Sequence, residues 1–242
     1  MDEAGKPNSA DATPLKRLRV CAVVPAHNEA ERIGAVLDTL AAAPEVDAVI
    51  VVDDGSTDDT FAAVQNHEAA QGKLAKVSVL RQTPNKGKGA AMLHGAGRAE
   101  AFDILLFFDA DLVGLTPAHV ADILAPVVSG RVVMALGVFR GGRGATTLAQ
   151  KIAPNISGQR AIRRDVFLSV PNLAASGYGV ELAITNHVLE NGLPMVQVVL
   201  QDVTHPMKEE KLGFLRGFVS RLRMYYQMLP QIARRLGRKR RG

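Results

Sequence analysis

Two aspartates that follow an apolar run are the residues of this chain whose spacing most clearly suggests chemistry. Asp109 and Asp111 lie two residues apart, and side chains two apart in an extended chain project to the same side. Their carboxylates can share a hard divalent cation such as Mn²⁺ or Mg²⁺. Such a cation would neutralise a diphosphate and act as a Lewis acid on a departing nucleotide. The alternative is a solvated turn after a strand.

Three further apolar runs also end in polar residues. The first leads into PAHNE at 25–29, the second ends in Asp54, and the third leads into NKGKG at 85–89. Asp54 is expected to bond a nucleotide base or ribose, or alternatively to cap the next helix. Lys86 and Lys88 lie in a glycine-containing turn that opens a helix, where amides and ammonium groups suit an anion. The alternative for this turn is a solvated basic loop.

The elements that must position these residues alternate between strands and helices. Short β-rich apolar runs predict strands at 19–25, 48–53, 77–80 and 103–109. Helical spacing and capping residues predict helices at 29–42, 57–70, 89–101 and 117–128. This alternation with short connections indicates an α/β domain with a mostly parallel sheet covered on both faces. Because ligands of such sheets bind beyond the carboxyl ends of the strands, the polar segments should converge on one crevice.

The pattern becomes less regular beyond residue 130. Further elements are predicted as a strand at 132–139, a helix around 178–190 and a strand at 195–201. We therefore expect one domain over residues 16–208, after a disordered leader at 1–15. The final segment, 209–242, has apolar residues three to four apart and predicts an amphipathic helix.

Composition limits the class of protein. The chain has 242 residues, of which 47% are hydrophobic and 22% charged, as in an ordinary soluble domain. Its single cysteine excludes an intramolecular disulfide and a zinc site built on several thiolates. The sequence contains no run of 18 apolar residues, so no transmembrane helix is expected. The polar N-terminus does not have the pattern of a secretory signal. The expected location is the cytoplasm.

Positive charge is concentrated at the C-terminus. Residues 207–242 contain 11 Lys and Arg against 2 acidic residues, whereas the rest of the chain has 18 against 22. A basic amphipathic helix favours an anionic membrane surface, here the inner face of the membrane. The alternative is that its apolar stripe packs on the domain. With 5% aromatic residues and no legible binding module, the chain is not expected to bind nucleic acid.

Four ordered segments resemble the signatures of family 2-type glycosyltransferases with the GT-A fold. They are VVPAHNE at 23–29, VVDDGSTD at 51–58, NKGKG at 85–89 and FDAD at 108–111. The segments resemble those of dolichyl-phosphate mannosyltransferase-like enzymes and glucosyl-3-phosphoglycerate synthases. The resemblance implies a Rossmann-like GT-A domain that transfers sugar from a UDP- or GDP-sugar with the help of a divalent cation.

The same resemblance implies roles on the donor side of the site. Pro25, Ala26 and Glu29 would line the nucleoside pocket, Asp54 would face the base, and Lys88 would lie near the nucleotide.

The resemblance also implies the metal ligands. Asp109 would approach the ribose or the metal, and Asp111 would be a direct metal ligand required for catalysis. His205 follows the last predicted strand and is similar to a histidine that completes the metal site in such enzymes. An imidazole ligand favours Mn²⁺ over Mg²⁺. The alternative is a surface histidine before a proline.

Two later segments, SGQRAIRR at 157–164 and GYGVE at 177–181, resemble the acceptor half of these enzymes. Arg160 and Arg163 are expected to grip a phosphate or carboxylate of the acceptor, because guanidinium forks match such oxyanions. Tyr178 is also expected to bind the acceptor. Glu181 is expected to act as general base toward an attacking hydroxyl, or else to be an acid favoured by the helix dipole. The acceptor would be a phosphate-bearing small molecule or a polyprenyl-linked lipid.

Two alternative functions remain. Nucleotidyltransferases have a similar sheet but usually carry a GxGxR loop after the first strand, where this chain has PAHNE. A non-catalytic, membrane-associated transferase homologue would be expected to lose acidic and basic site residues, whereas this chain keeps Asp54, Lys88, Asp109 and Asp111. The sequence decides neither the stereochemistry of transfer nor the sugar.

Overall fold

A computed structural model of the chain describes residues 17–71, 75–140, 157–175 and 179–205. The expected leader at 1–15, Tyr178 and the expected amphipathic segment at 209–242 lie outside these residues. Among the described residues, none of the helices combines the length and apolar character needed to cross a bilayer.

Strands and helices alternate through most of the described chain. The strands are β1 (Val20–Ala26), β2 (Ala48–Asp54), β3 (Val77–Gln82), β4 (Ile104–Phe107), β5 (Met134–Arg140), β6 (Arg160–Arg163) and β7 (Met195–Gln201). The helices are α1 (Ile33–Ala42), α2 (Thr60–Gln65), α3 (Lys88–Arg98), α4 (Pro117–Val128), α5 (Arg164–Leu168) and α6 (Val180–Glu190). Short 3₁₀ turns lie at Glu68–Ala70 and Leu173–Ala175.

All seven strands belong to one sheet in the order β3-β2-β1-β4-β6-β5-β7. The pairs β3–β2, β2–β1, β1–β4 and β5–β7 are parallel, whereas β6 runs antiparallel to both β4 and β5. The expected α/β fold with a mostly parallel sheet is therefore confirmed, with one reversed strand that sequence reasoning did not predict.

The sheet is covered on both faces, and β1 shows why its residues form a central strand. Val20, Ala22 and Val24 face one apolar cluster, and Cys21 and Val23 face the other. Alternate residues of a strand point to opposite faces, so an uninterrupted apolar run is what a strand covered on both sides requires.

Different helices cover the two faces. The first cluster contains the buried stripes of α1 and α4, and the second contains those of α3, α5 and α6. Small residues let α3 lie close to the sheet: a Cβ added at Gly95 would overlap the side chain of Val23. This close packing fixes the position of Lys88 at the first turn of α3.

Three predicted helices are shorter than expected, and of these the helix predicted at 89–101 ends at Arg98. The helix predicted at 29–42 begins at Ile33, because Asn28 adopts a left-handed φ of 57° and residues 29–32 form a turn. The helix predicted at 57–70 ends at Gln65 and is followed by the 3₁₀ turn at Glu68–Ala70. By contrast, the bounds of α4 match the prediction, since Thr116 and Pro117 form a well-defined start with a capping box.

Candidate active site

The carboxyl ends of β1, β2 and β4 meet at one edge of the sheet. Ala26 pairs with Asp53, and Val23 pairs with Phe107 one residue before the segment Phe108–Asp111 begins. Because β6 is antiparallel, its first residue, Arg160, pairs with Phe107 at this same edge. Residues 157–159 therefore join the strand ends that the sequence predicted to converge.

Asp109, Asp111 and His205 form a cluster that could hold a metal ion. One ligand atom from each residue lies within 4.8 Å of the others. His205 Nδ1 is 3.1 Å from Asp111 Oδ1, and His205 Nε2 is 3.5 Å from Asp109 Oδ2. The structure thus brings together all three residues that were expected to bind metal.

His205 reaches this cluster although it follows β7, at the far edge of the sheet. An isolated antiparallel bridge joins Val113 to Thr204, with two backbone hydrogen bonds of 3.0 Å. Gly114 has φ 80°, and a Cβ there would lie 2.6 Å from the carbonyl oxygen of Asp202. A glycine at 114 is therefore required for the close approach that sets His205 beside Asp111.

Charges within this group shift the pKa values of its members. Burial disfavours the imidazolium of His205, but the hydrogen bond to Asp111 and the negative charges of Asp109 and Asp111 outweigh it and raise the pKa of His205. Burial likewise disfavours the carboxylate of Asp109, but the nearby Lys88, with a smaller effect from His205, holds the pKa of Asp109 below its usual value.

Lys88 connects the metal-binding aspartates to Glu181. Its Nζ lies 2.6 Å from Asp109 Oδ1 and 2.6 Å from Glu181 Oε1. Burial disfavours the ammonium, but these two carboxylates more than compensate and keep the pKa of Lys88 well above its usual range. We call these five residues the charged cluster: Lys88, Asp109, Asp111, Glu181 and His205.

The charged cluster fits a divalent cation. Two carboxylates and an imidazole are ligands that Mn²⁺ and Mg²⁺ accept, with the imidazole favouring Mn²⁺. Its three carboxylates outnumber its single ammonium and the neighbouring guanidinium of Arg160, so with a neutral histidine the site keeps an excess of negative charge. A divalent cation would balance that excess.

Gln159 is a site residue that sequence reasoning missed. Its side chain is fully buried and contacts Asp109 twice: Asp109 N donates to Gln159 Oε1 at 3.0 Å, and Gln159 Nε2 donates to Asp109 Oδ2 at 2.8 Å. The preceding Gly158 makes this approach possible, because a Cβ at 158 would lie 2.5 Å from Asp109 Oδ2 and 2.8 Å from Lys88 Nζ. The sequence signal that could have indicated Gln159 was Gly158, a glycine inside the segment that was assigned to the acceptor.

Arg160 was expected to bind the acceptor, and that role stays a prediction. It is fully buried, and its guanidinium donates to the backbone carbonyls of Glu181, at 3.2 Å, and Ser157. Burial lowers the pKa of Arg160 to about 10, against the opposing effects of Glu181 and Asp109. In this conformation Arg160 joins β6 to the start of α6 from beneath the site.

Arg163 does not lie with the strand-end residues. It pairs with Ile104, the first residue of β4, because β6 runs antiparallel to β4. Arg163 therefore lies at the end of the strands opposite to the site. There it forms a bidentate pair with Asp165, with distances of 3.2 and 3.1 Å, and lines a separate cavity of ≈ 300 Å³. The expectation that Arg163 faces the acceptor assumed that its side chain was near Arg160.

Asp54 is buried and supports the turn before α3. Its Oδ1 accepts hydrogen bonds from Lys86 N at 2.7 Å and from Gln82 Nε2 at 2.5 Å, and its Oδ2 accepts from Gly87 N at 2.8 Å. These contacts fix the segment that ends in Lys88. A role for Asp54 toward a nucleotide base stays a prediction.

The turn after β1 is joined to the turn after β2. Asn28 N donates to Ser56 Oγ at 3.0 Å, and Thr57 N donates to Asn28 Oδ1 at 2.8 Å. Glu29 N donates to Thr60 Oγ1 at 2.8 Å. We call three segments the strand-end turns: 25–30, 53–60 and 83–87.

The residues expected to line a nucleoside pocket lie at the first strand-end turn. Ala26 is buried, whereas Pro25 and Glu29 are half-buried at the sheet edge. Their assignment to the nucleoside stays a prediction, as does the assignment of Glu181 as general base.

Residues 21–180 match the family model described as "Glycosyl transferase family 2". The chain belongs to glycosyl transferase family 2. This match covers the first six strands and all of the charged cluster except Glu181 and His205.

Two relatives resemble the chain over most of its length. The glucosyl-3-phosphoglycerate synthase of Mycolicibacterium paratuberculosis is 29% identical over 68% of this chain and 58% of its own length. The undecaprenyl-phosphate mannosyltransferase of Micrococcus luteus is 28% identical over 81% of this chain and 88% of its own. This chain therefore spans less than two thirds of the synthase but most of the mannosyltransferase.

A solved family 2 structure supports the fold. The glucosyl-3-phosphoglycerate synthase of Mycobacterium tuberculosis, in complex with Mn²⁺, uridine-diphosphate-glucose and phosphoglyceric acid, superimposes with a TM-score of 0.63. The two chains are 28% identical, over 81% of this chain and 75% of the other. The expected GT-A fold is confirmed.

Proposed function

We propose that this chain is a metal-dependent glycosyltransferase that moves a sugar from a UDP- or GDP-sugar to a phosphate-bearing or lipid-linked acceptor. The observation that carries the proposal is the cluster of Asp109, Asp111 and His205 within 4.8 Å at the carboxyl ends of the strands. Ligands of open α/β sheets bind at this edge.

The donor would bind between the strand-end turns and the charged cluster. Asp109, Asp111 and His205 would hold Mn²⁺ or Mg²⁺, which supplies charge neutralisation for the diphosphate when bound. Lys88 contributes a permanent positive charge beside these ligands, since its pKa lies well above neutrality. The turn that Asp54 supports through Lys86 and Gly87 would set the position of that lysine relative to the donor.

The acceptor would approach from the side of α6. Glu181 lies at the first turn of α6 and is proposed to take the proton of an attacking hydroxyl. Its contact with Lys88 keeps it close to Asp109 and the donor phosphates. Arg160 would act indirectly here, because it donates to the backbone carbonyl of Glu181.

The acceptor class has two precedents among the relatives. One group is named for phosphoglycerate and the other for undecaprenyl phosphate or polyprenol phosphate. Phosphoglycerate offers a hydroxyl that would need Glu181 as base, whereas a polyprenyl phosphate attacks through an ionised phosphate oxygen and would need no base. The high coverage of the mannosyltransferase, 88% of its length, favours testing the lipid phosphate first.

A location at the cytoplasmic face of a membrane is part of the proposal. It depends on the basic composition of residues 207–242, with 11 Lys and Arg against 2 acidic residues. Such segments bind anionic lipid surfaces, where a polyprenyl phosphate would be presented.

The alternative functions are less well supported. Membership in glycosyl transferase family 2 argues against a nucleotidyltransferase. The complete Asp109, Asp111 and His205 cluster argues against a non-catalytic homologue, since such a protein has no need of three cation ligands.

The direct test is transfer from UDP- and GDP-sugars to phosphoglycerate and to a short polyprenyl phosphate, with and without Mn²⁺. Asp111→Ala should lower turnover by at least about 100-fold, because a direct ligand is lost. Asp122→Ala is the matched control, since Asp122 is an exposed aspartate of α4. Equal turnover of Asp111→Ala and wild type would contradict the proposal.

A further inference from the structure

We propose that Gln159 is a positioning residue that holds Asp109 in the orientation needed to bind the cation. The inference rests on the proposed function, since it concerns the same metal site. It begins from the two hydrogen bonds between the Gln159 amide and Asp109, of 3.0 and 2.8 Å.

The direction of the Gln159 amide is determined by its partners. The backbone N–H of Asp109 can only donate, so it requires the carbonyl oxygen of the amide. The NH₂ group must then face Asp109 Oδ2, which as a carboxylate oxygen accepts. One side chain thus fixes both the backbone and the carboxylate of Asp109.

Gln159 is itself held rigidly. Its side chain is fully buried, and its backbone carbonyl oxygen accepts a hydrogen bond of 2.8 Å from Gly137 N on β5. Its backbone N–H donates to Ser157 Oγ at 3.2 Å. A buried side chain on a backbone fixed in this way can transmit the geometry of the sheet to the carboxylate that it contacts.

The carboxylate of Asp109 has two competing partners. Its Oδ1 is 2.6 Å from Lys88 Nζ, whereas its Oδ2 faces His205 Nε2 at 3.5 Å, on the side of the metal cluster. Without Gln159, the carboxylate could rotate to present both oxygens to Lys88. The bond from Gln159 Nε2 to Oδ2 opposes this rotation and keeps one oxygen directed toward the cation ligands.

The chain offers a matched control in Gln82. This glutamine is also buried and also donates its side-chain amide to a strand-end carboxylate, that of Asp54. However, it lies on β3, and β2 and β1 separate that strand from β4. Gln82→Met and Gln159→Met both remove an amide donor from a strand-end carboxylate, but only Gln159 is next to the metal ligands. Its Nε2 also lies 3.5 Å from His205 Nε2.

The experiment is isothermal titration calorimetry of the full chain with Mn²⁺, in the absence of nucleotide and with saturating UDP. Gln159→Met should weaken Mn²⁺ binding by about 10- to 100-fold, the usual effect of losing an outer-shell partner. Gln82→Met should leave Mn²⁺ affinity in the absence of nucleotide within about twofold of wild type, as expected for separated sites. Both variants should melt at a lower temperature, because each loses a buried hydrogen bond.

Mn²⁺ affinity of Gln159→Met within about twofold of wild type would overturn the inference while leaving the metal site intact. If Gln159→Met does not fold, Gln159→Asn replaces it, because asparagine stays polar but is too short to reach both atoms of Asp109. The same loss of affinity is expected, and an unchanged affinity again overturns the inference. If Asp111→Ala also binds Mn²⁺ as wild type does, the proposed function fails together with the inference.

Discussion

The strand-end turns and the charged cluster lie side by side but are held by different contacts. In the turns, carboxylates and hydroxyls accept hydrogen bonds from backbone N–H groups, as Asp53 does from Ser56 and Asp54 does from Lys86 and Gly87. In the charged cluster, ionised side chains contact one another directly, as Lys88 does with Asp109 and Glu181.

The strand-end turns therefore determine the conformation of the backbone beside the site, whereas the charged cluster determines its electrostatics. In the strand-end turns most donors are backbone N–H groups, and the main ion pair joins Arg81 Nε to Asp53 Oδ2 at 3.2 Å. The charged cluster depends on a balance of ionised groups and on the protonation of His205, whose pKa is raised. The two regions therefore differ in how directly their side-chain charges contact one another.

The largest effect is expected from removing the positive charge of the cluster. Lys88→Met leaves Asp109 and Glu181 without their shared cation, and because all three side chains are partly exposed the cost should be somewhat below that of a fully buried pair, about 3–5 kcal/mol. The loss in unfolding free energy should shrink at low pH, because Lys88 is what holds the pKa of Asp109 down and the unpaired Asp109 carboxylate is protonated more readily. Urea unfolding at pH 7.5 and pH 5 measures both effects.

The neighbouring Lys86→Met provides the control for that substitution. Lys86 is exposed, and only its backbone N–H contacts Asp54. Its loss should change the unfolding free energy by less than about 0.5 kcal/mol. Equal destabilisation by the two lysine substitutions would remove the distinction between cluster and turns.

A smaller effect is expected in the strand-end turns. Asp54→Asn should destabilise the chain by about 1–3 kcal/mol, because the asparagine NH₂ would face one of the N–H donors of Lys86 and Gly87 and cannot accept from it. Mn²⁺ affinity without nucleotide should not change. Asp59→Asn is the control, since Asp59 is exposed and its side chain makes no capping bond. Chemical denaturation measures the stability of both variants, and a large loss of Mn²⁺ affinity in Asp54→Asn would show that the two regions are coupled.

The smallest effect concerns the proton that competes with the cation. His205 must be neutral to bind a metal, and its pKa is raised. Mn²⁺ affinity should therefore be constant above that pKa and fall by about tenfold per pH unit below it. Asp109 adds little to this slope, because its pKa is lowered. Calorimetry between pH 5.5 and 8 tests the slope, and an affinity that rises as the pH falls would contradict the role of His205.

Sequence reasoning located the strands that are buried on both faces. The bounds of β1 and β2 differ from the predicted bounds by one residue or less at each end. The bounds of β7, which is largely exposed, match the prediction as well. Long apolar runs leave few alternatives, so element type and position follow directly from them. The same reasoning placed Asp109 and Asp111 at a strand end, which the structure shows.

What sequence reasoning missed depends on contacts between distant residues. The strand β6 has only four residues, too few for a periodic pattern, and its reversed direction sets Arg163 at the opposite edge from Arg160. Gln159 could not be assigned because its importance comes from Asp109, 50 residues earlier. Short segments owe their conformation to tertiary pairing, and this pairing has no local signature.

The bridge between Val113 and Thr204 has a consequence for the order in which the chain is made. His205 is synthesised 94 residues after Asp111, and it can join that aspartate only after β7 has docked beside β5. A partly translated chain therefore has both carboxylates but lacks the imidazole. Cation binding that requires all three would favour only the finished domain over its nascent intermediates, since a ligand stabilises only the state that binds it.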